Sequence, residues 1–154
     1  MDARKLLIAD GNEEFRRALA AELQGAYHVR CCDDGKEALS LLRSFAPDVL
    51  VLDLMLPGLD GISLLQSAAA SGLCPMVLVT SRFYNDYVLT ALGELSVGYM
   101  MRKPCDIPAT AARIGDLSRQ IRTPLVTAGF SGSPGMAFLF RVMWSPSSRS
   151  CRSR

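Results

Sequence analysis

At 154 residues the chain has room for one domain with a full core, and its 49% hydrophobic content excludes a natively disordered protein. Residues 1–122 hold 13 Lys/Arg against 15 Asp/Glu, whereas residues 123–154 add four arginines and no acid, so the main body does not bind nucleic acid by bulk charge. No apolar run approaches the ~20 residues that cross a bilayer, and the start, with Asp2, Arg4 and Lys5, lacks the form of a signal peptide, which points to the cytoplasm and no membrane partner.

In chain order, Leu6 to Ala9 is a short apolar strand ending in Asp10-Gly11. Asn12 caps the next helix, and Glu13 and Glu14 suit its positive end. Phe15, Ala18, Leu19 and Leu23 give that helix an inward face to about Gln24-Gly25. Tyr27 to Cys32 is a second strand, closed by Asp33-Asp34-Gly35. Ala38, Leu39, Leu41, Leu42 and Phe45 line a second helix that stops before Pro47.

The next stretch organises the rest. Val49 to Leu52 are four apolar residues without alternation, the mark of a strand buried on both faces of a parallel sheet. Asp53 ends the strand, and Pro57-Gly58 and Asp60-Gly61 close the turn after it. Ile62, Leu64, Leu65 and Ala68 to Ala70 form a third helix, and Met76 to Val79 a fourth strand ending in Thr80-Ser81. A fourth helix over Tyr84 to Leu95 turns Tyr87, Val88, Ala91, Leu92 and Leu95 inward. Gly98 to Arg102 is a fifth strand, followed by Lys103-Pro104. Pro108 opens a fifth helix at its first position, with Ala111, Ile114, Leu117, Ser118 and Ile121 on its buried face.

Five strand–helix units predict an α/β fold: a doubly wound, five-stranded parallel sheet of flavodoxin-like order 2-1-3-4-5 with five helices. In such sheets the chemistry lies beyond the carboxyl ends of the strands. Asp10, Asp53, Thr80 and Lys103 all stand there. Taken singly, Thr80 is a cap hydroxyl and Lys103 a surface lysine; together the four make a site. A carboxylate can accept a phosphoryl group as an acyl phosphate. An ammonium pairs with phosphoryl oxygens as a point charge, and a hydroxyl donates to them. The five cysteines (Cys31, Cys32, Cys74, Cys105 and Cys151) show no C-x-x-C spacing and read as buried or semi-buried free thiols, and the single His28 builds no metal site alone.

The segment from Pro47 to Gly61 resembles the phosphoacceptor segment of the response-regulator receiver (CheY-like) domain. The resemblance implies that Asp53 is the phosphoacceptor, Thr80 the switch hydroxyl and Lys103 the phosphate-pairing lysine, with Pro104 in a cis-proline turn. It implies Mg²⁺ held by Asp10, Asp53 and the Met55 backbone carbonyl, and a signalling module in place of an enzyme. Partners would be a histidine kinase or phosphotransfer protein, with a homodimer open to it. A narrower resemblance runs through Ala9 to Glu14 and Tyr99 to Asp106, which look like the receiver of the sporulation-initiation master regulators of endospore-forming bacteria; in these a DNA-binding helical domain follows.

The sequence departs from the family pattern. Gly11 stands where a second acid is usual, which weakens Mg²⁺ binding because affinity follows ligand charge and count. Met100 stands at the aromatic switch position, with Tyr99 on the opposite face. The spacing from Thr80 to Lys103 is one residue long, pointing to an altered loop before the fourth helix. These changes raise an alternative, a phosphorylation-independent pseudo-receiver serving protein binding or dimerisation. A third class, a small enzyme or nucleotide binder, lacks both a Gly-rich phosphate loop and a nucleophile–base pair.

The receiver unit is expected over residues 1–122. Residues 123–154 read as a linker, a short apolar run at 136–144 and an irregular Ser/Arg end, too short for a helix-turn-helix domain. The expectation is that the effector domain is absent and that the tail, disordered, comes from a truncation or frame change; DNA would be a partner only through that missing domain.

Overall fold

The computed structural model of the protein describes residues 3–121, so the expectations for residues 123–154 and for Cys151 lie outside the described residues. Strands β1 (Arg4–Ala9), β2 (Tyr27–Cys32), β3 (Val49–Asp53), β4 (Met76–Ser81) and β5 (Tyr99–Arg102) alternate with helices α1 (Glu13–Leu23), α2 (Gly35–Ser44), α3 (Gly61–Ala70), α4 (Asp86–Gly93) and α5 (Ile107–Gln120). The strands form one parallel sheet in the order β2-β1-β3-β4-β5, as the alternation predicts. Every residue of the central strand β3 is buried, which is why its sequence shows no alternation.

The sheet has an apolar layer on each face. Leu7, Leu50, Leu52 and Val79 pack with α2, α3 and α4 through Leu42, Leu64, Ala68 and Leu92. On the opposite face, Leu6, Ile8, Val49, Val51 and Leu78 pack with α1 and α5 through Leu19, Leu23, Ile114 and Leu117. Side chains two residues apart on a strand share a face, so each strand feeds both layers.

Side-chain caps fix where the helices begin. Asn12 accepts from the Phe15 N–H, Asp34 from those of Lys36 and Glu37, Asp60 from Ser63, Asn85 from Val88 and Asp106 from Ala109. Pro108 consequently sits at the second helical position of α5, one later than its sequence suggests. The Asn85 cap makes α4 shorter than the predicted 84–95 and sets its rotation. Val88 and Leu92 face the sheet, while Tyr87 is 74% exposed instead of inward. Ala18 is likewise exposed, because Phe15, Leu19, Ala20 and Leu23 form the inner stripe of α1. Two of the expected buried or semi-buried free thiols differ: Cys31 is exposed, because β2 is an edge strand, and Cys74 is disulfide-bonded; Cys32, on the other face of β2, is buried.

Candidate functional site

The carboxyl ends of β1, β3, β4 and β5 bring together the four residues that the sequence points to. Asp10 follows β1 and is fully buried; Asp53 ends β3 and is 6% exposed. Thr80 lies beside Asp53 in the β3–β4 register and is also fully buried. Lys103 follows β5, on a cis peptide bond to Pro104.

The Lys103 ammonium joins both acids. It donates to Asp53 Oδ2 at 2.9 Å and to Asp10 Oδ1 at 3.1 Å. Asp10 Oδ2 also lies 2.9 Å from that ammonium, but outside hydrogen-bond geometry, and it accepts no hydrogen bond. Backbone also holds both carboxylates: Asn12 N–H donates to Asp10 Oδ1 at 2.8 Å and Met55 N–H to Asp53 Oδ1 at 3.0 Å. The ammonium also lies 5.8 Å from the centre of the Phe15 ring. With two nearly buried carboxylates against one ammonium, the site is short of positive charge.

The electrostatics follow from this. Burial pushes the Asp10 carboxyl above its ordinary range, although the Lys103 and Asn12 hydrogen bonds oppose the shift. Burial alone would lower the Lys103 ammonium; its hydrogen bonds to Asp10 and Asp53 outweigh that and raise it.

Two buried side-chain atoms among the described residues have no hydrogen-bond partner, Asp10 Oδ2 and Thr80 Oγ1. Both belong to this site. Buried polar atoms without partners are uncommon and costly, and these two are of the kinds that a hard cation and a phosphoryl oxygen would satisfy. The donor set fits Mg²⁺, which uses one or two carboxylates and keeps several of its waters. Asp10 Oδ2 supplies one free lone-pair site, and the Met55 carbonyl accepts no hydrogen bond among the described residues. No cluster of three acids, histidines or cysteines suited to a metal forms among them. Glu13 does not supply the missing acid: it is exposed and pairs with Arg17 at 3.5 Å. A Cβ at Gly11 would meet nothing within 4 Å.

The β4–α4 loop holds a group that the sequence reading missed. Tyr84 donates its hydroxyl to the Met101 carbonyl at 2.6 Å and lies 3.3 Å from that of Val79, with the Arg102 guanidinium over its ring. The long Thr80-to-Lys103 spacing was the sequence signal for an unusual loop here. Met100 and Tyr99 take opposite faces of β5, as their parity requires, and Tyr99 lies under the Arg113 guanidinium.

Residues 6–114 match the family model of the response regulator receiver domain. Response regulator MprA of Mycolicibacterium vanbaalenii is 32% identical over 133 residues, covering 84% of this chain and 56% of that protein. The DNA-binding response regulator MtrA of Mycolicibacterium smegmatis is 30% identical over 108 residues, covering 68% and 47%. The chain thus spans about half the length of the curated relatives it matches. The receiver domain of the Francisella response regulator 1452 superposes with a TM-score of 0.70 at 27% identity, covering 77% of this chain and 98% of that one. These relatives lend no support to the narrower likeness to sporulation regulators. With its family model, its sheet order and its strand-end residues in agreement, the chain belongs to the response regulator receiver domain family.

Proposed function

We propose that this protein takes a phosphoryl group on Asp53, with Mg²⁺, from a phosphorylated histidine kinase or phosphotransfer protein, and signals through the face made by α4 and β5. The observation that carries this reading is the pair of buried atoms without a hydrogen bond, Asp10 Oδ2 and Thr80 Oγ1, beside the Asp53–Lys103 contact. Asp53 Oδ2 attacks the phosphorus, the bond from phosphorus to the donor breaks with its electrons leaving on the donor, and an acyl phosphate forms. Lys103, already on Oδ2, pairs with the incoming phosphoryl oxygens. Thr80 donates the hydroxyl that has no partner at rest. Asp10, Asp53 and the Met55 carbonyl would hold Mg²⁺, which would supply the neutralising charge that phosphoryl transfer needs more than covalent help. Phe83, Tyr87, Leu89 and Met100 are exposed on or beside α4 and β5, a surface suited to a partner whose affinity depends on the state of Asp53. By the same reading the receiver is part of a transcription regulator that would reach DNA only through a further domain, in keeping with the name of its DNA-binding relative MtrA, and a homodimer is open to it.

Intact-mass analysis with an acyl-phosphate donor and Mg²⁺, run beside Asp53→Asn, tests this. A gain of one phosphoryl group in the wild type, absent in the variant and abolished by chelator, is expected. The absence of a third acid at Gly11 favours a second reading, the pseudo-receiver that binds a partner without phosphoryl chemistry. No mass gain together with no Mg²⁺ binding by titration would establish it in place of the first.

A further inference from the structure

Residues 54–60 carry Met55, whose N–H holds Asp53 Oδ1. The base of this loop closes on itself: Gly61 N–H donates to the Leu54 carbonyl at 3.0 Å, and a Cβ on Gly61 would lie 2.7 Å from Leu54 Cα. Its tip rests on another element. Gly35, the first residue of α2, donates its N–H to the Pro57 carbonyl at 2.9 Å. Among the described residues this is the one backbone hydrogen bond that reaches residues 55–59 from outside the loop. A Cβ on Gly35 would fall 1.7 Å from the Leu59 carbonyl oxygen, so the two backbones touch where only glycine fits. Gly58, at φ +79°, completes the contact: a Cβ there would lie 2.4 Å from Asp34 Oδ2. Asp34 cannot easily yield, because its Oδ1 caps α2 through Lys36 N–H at 2.7 Å and Glu37 N–H at 3.2 Å.

We infer that the start of α2, Asp34 and Gly35, is a latch that positions the acceptor carboxylate. By holding the tip of the loop it keeps the Met55 N–H on Asp53 Oδ1. That leaves Oδ2 as the oxygen turned to Lys103, and it fixes where the Met55 carbonyl lies. Asp34 and Gly35 touch none of the reacting atoms; they are positioning residues and act through Met55. The assignment rests on the reading of Asp53 as phosphoacceptor for its consequence, and on the Met55–Asp53 hydrogen bond alone for its geometry.

Two readouts on the same proteins separate these. Amide hydrogen exchange by NMR on wild type, Gly35→Ala and Asp34→Ser follows Met55 against Leu50 and Val51 in β3. Serine keeps the helix cap but removes the carboxylate oxygen at Gly58, so this variant folds even where the alanine backbone clash does not permit it. The latch requires Met55 exchange to rise about tenfold, the effect of losing one modest hydrogen bond, with Leu50 and Val51 unmoved. It also requires Asp53 labelling by an acyl-phosphate donor to slow by about the same factor, and more Mg²⁺ to be needed for half-maximal rate. Unchanged Met55 exchange in folded variants overturns the latch, as does an equal rise at Leu50 and Val51, which would mark general loosening. A wild type that takes no phosphoryl group overturns the phosphoacceptor reading, and the exchange data still decide the latch.

Discussion

At the scale of single residues, the site is a set of groups whose resting partners are incomplete. Thr80 is the clearest case, a hydroxyl buried without a hydrogen bond. Leaving such a group unpaired costs about 1–3 kcal/mol. Thr80→Val keeps the shape and removes the hydroxyl. It should raise stability in urea by about 1 kcal/mol while abolishing the phosphoryl-dependent change at α4 and β5, read as lost chemical-shift differences on adding donor. Asp10, Asp53, Thr80 and Lys103 were legible in the sequence because each stands at the end of a strand, where the topology alone fixes its location. Tyr84 was not, because its partners Val79 and Met101 belong to two different strands and only folding brings their carbonyls together.

At the scale of elements, α2 is well begun and poorly ended. Asp34 caps its start, whereas Ala46, just past the C-cap Phe45, takes φ 51°, a left-handed conformation that costs an L-residue with a Cβ about 1 kcal/mol. Ala46 is exposed, so its methyl contributes little packing. Ala46→Gly should stabilise the protein by up to about 1 kcal/mol, seen as a higher urea midpoint at unchanged slope. Elements were legible because continuous apolar runs and 3.6-residue stripes survive folding unchanged; β3 and the inner face of α5 are the examples. Rotation was less legible. Tyr87 sits one residue from the α4 stripe and Ala18 one from that of α1, and an aromatic or a small residue next to a stripe gives no pattern that separates a boundary position from an inner one. The contact of α2 with the 54–60 loop was invisible for a different reason. A glycine records that a side chain is missing, not which backbone takes its place.

At the scale of the whole molecule, two apolar layers lean on one sheet, and Tyr84 ties the β4–α4 loop to its β5 edge. Burial above all, and then the neighbouring Cys105 thiolate charge, push the Tyr84 phenol from 10.0 up to about 12. The folded chain therefore keeps this proton where the unfolded chain has lost it. The stabilisation is complete below pH 10.0 and disappears as pH rises to about 12. Cys32, also pushed up to about 12 by burial, loses stability over an overlapping range, so the comparison needs a variant. Near neutral pH, Tyr84→Phe should be less stable than wild type by about 1 kcal/mol. In alkali the two urea midpoints should converge, the wild type falling faster. At Gly11 an added Cβ would meet nothing within 4 Å. A single substitution there would change the count of acids around Lys103 without a clash at Cβ. If Asp53 takes a phosphoryl group as proposed, cation affinity would then be adjustable by one substitution at this position while the architecture around it stays the same.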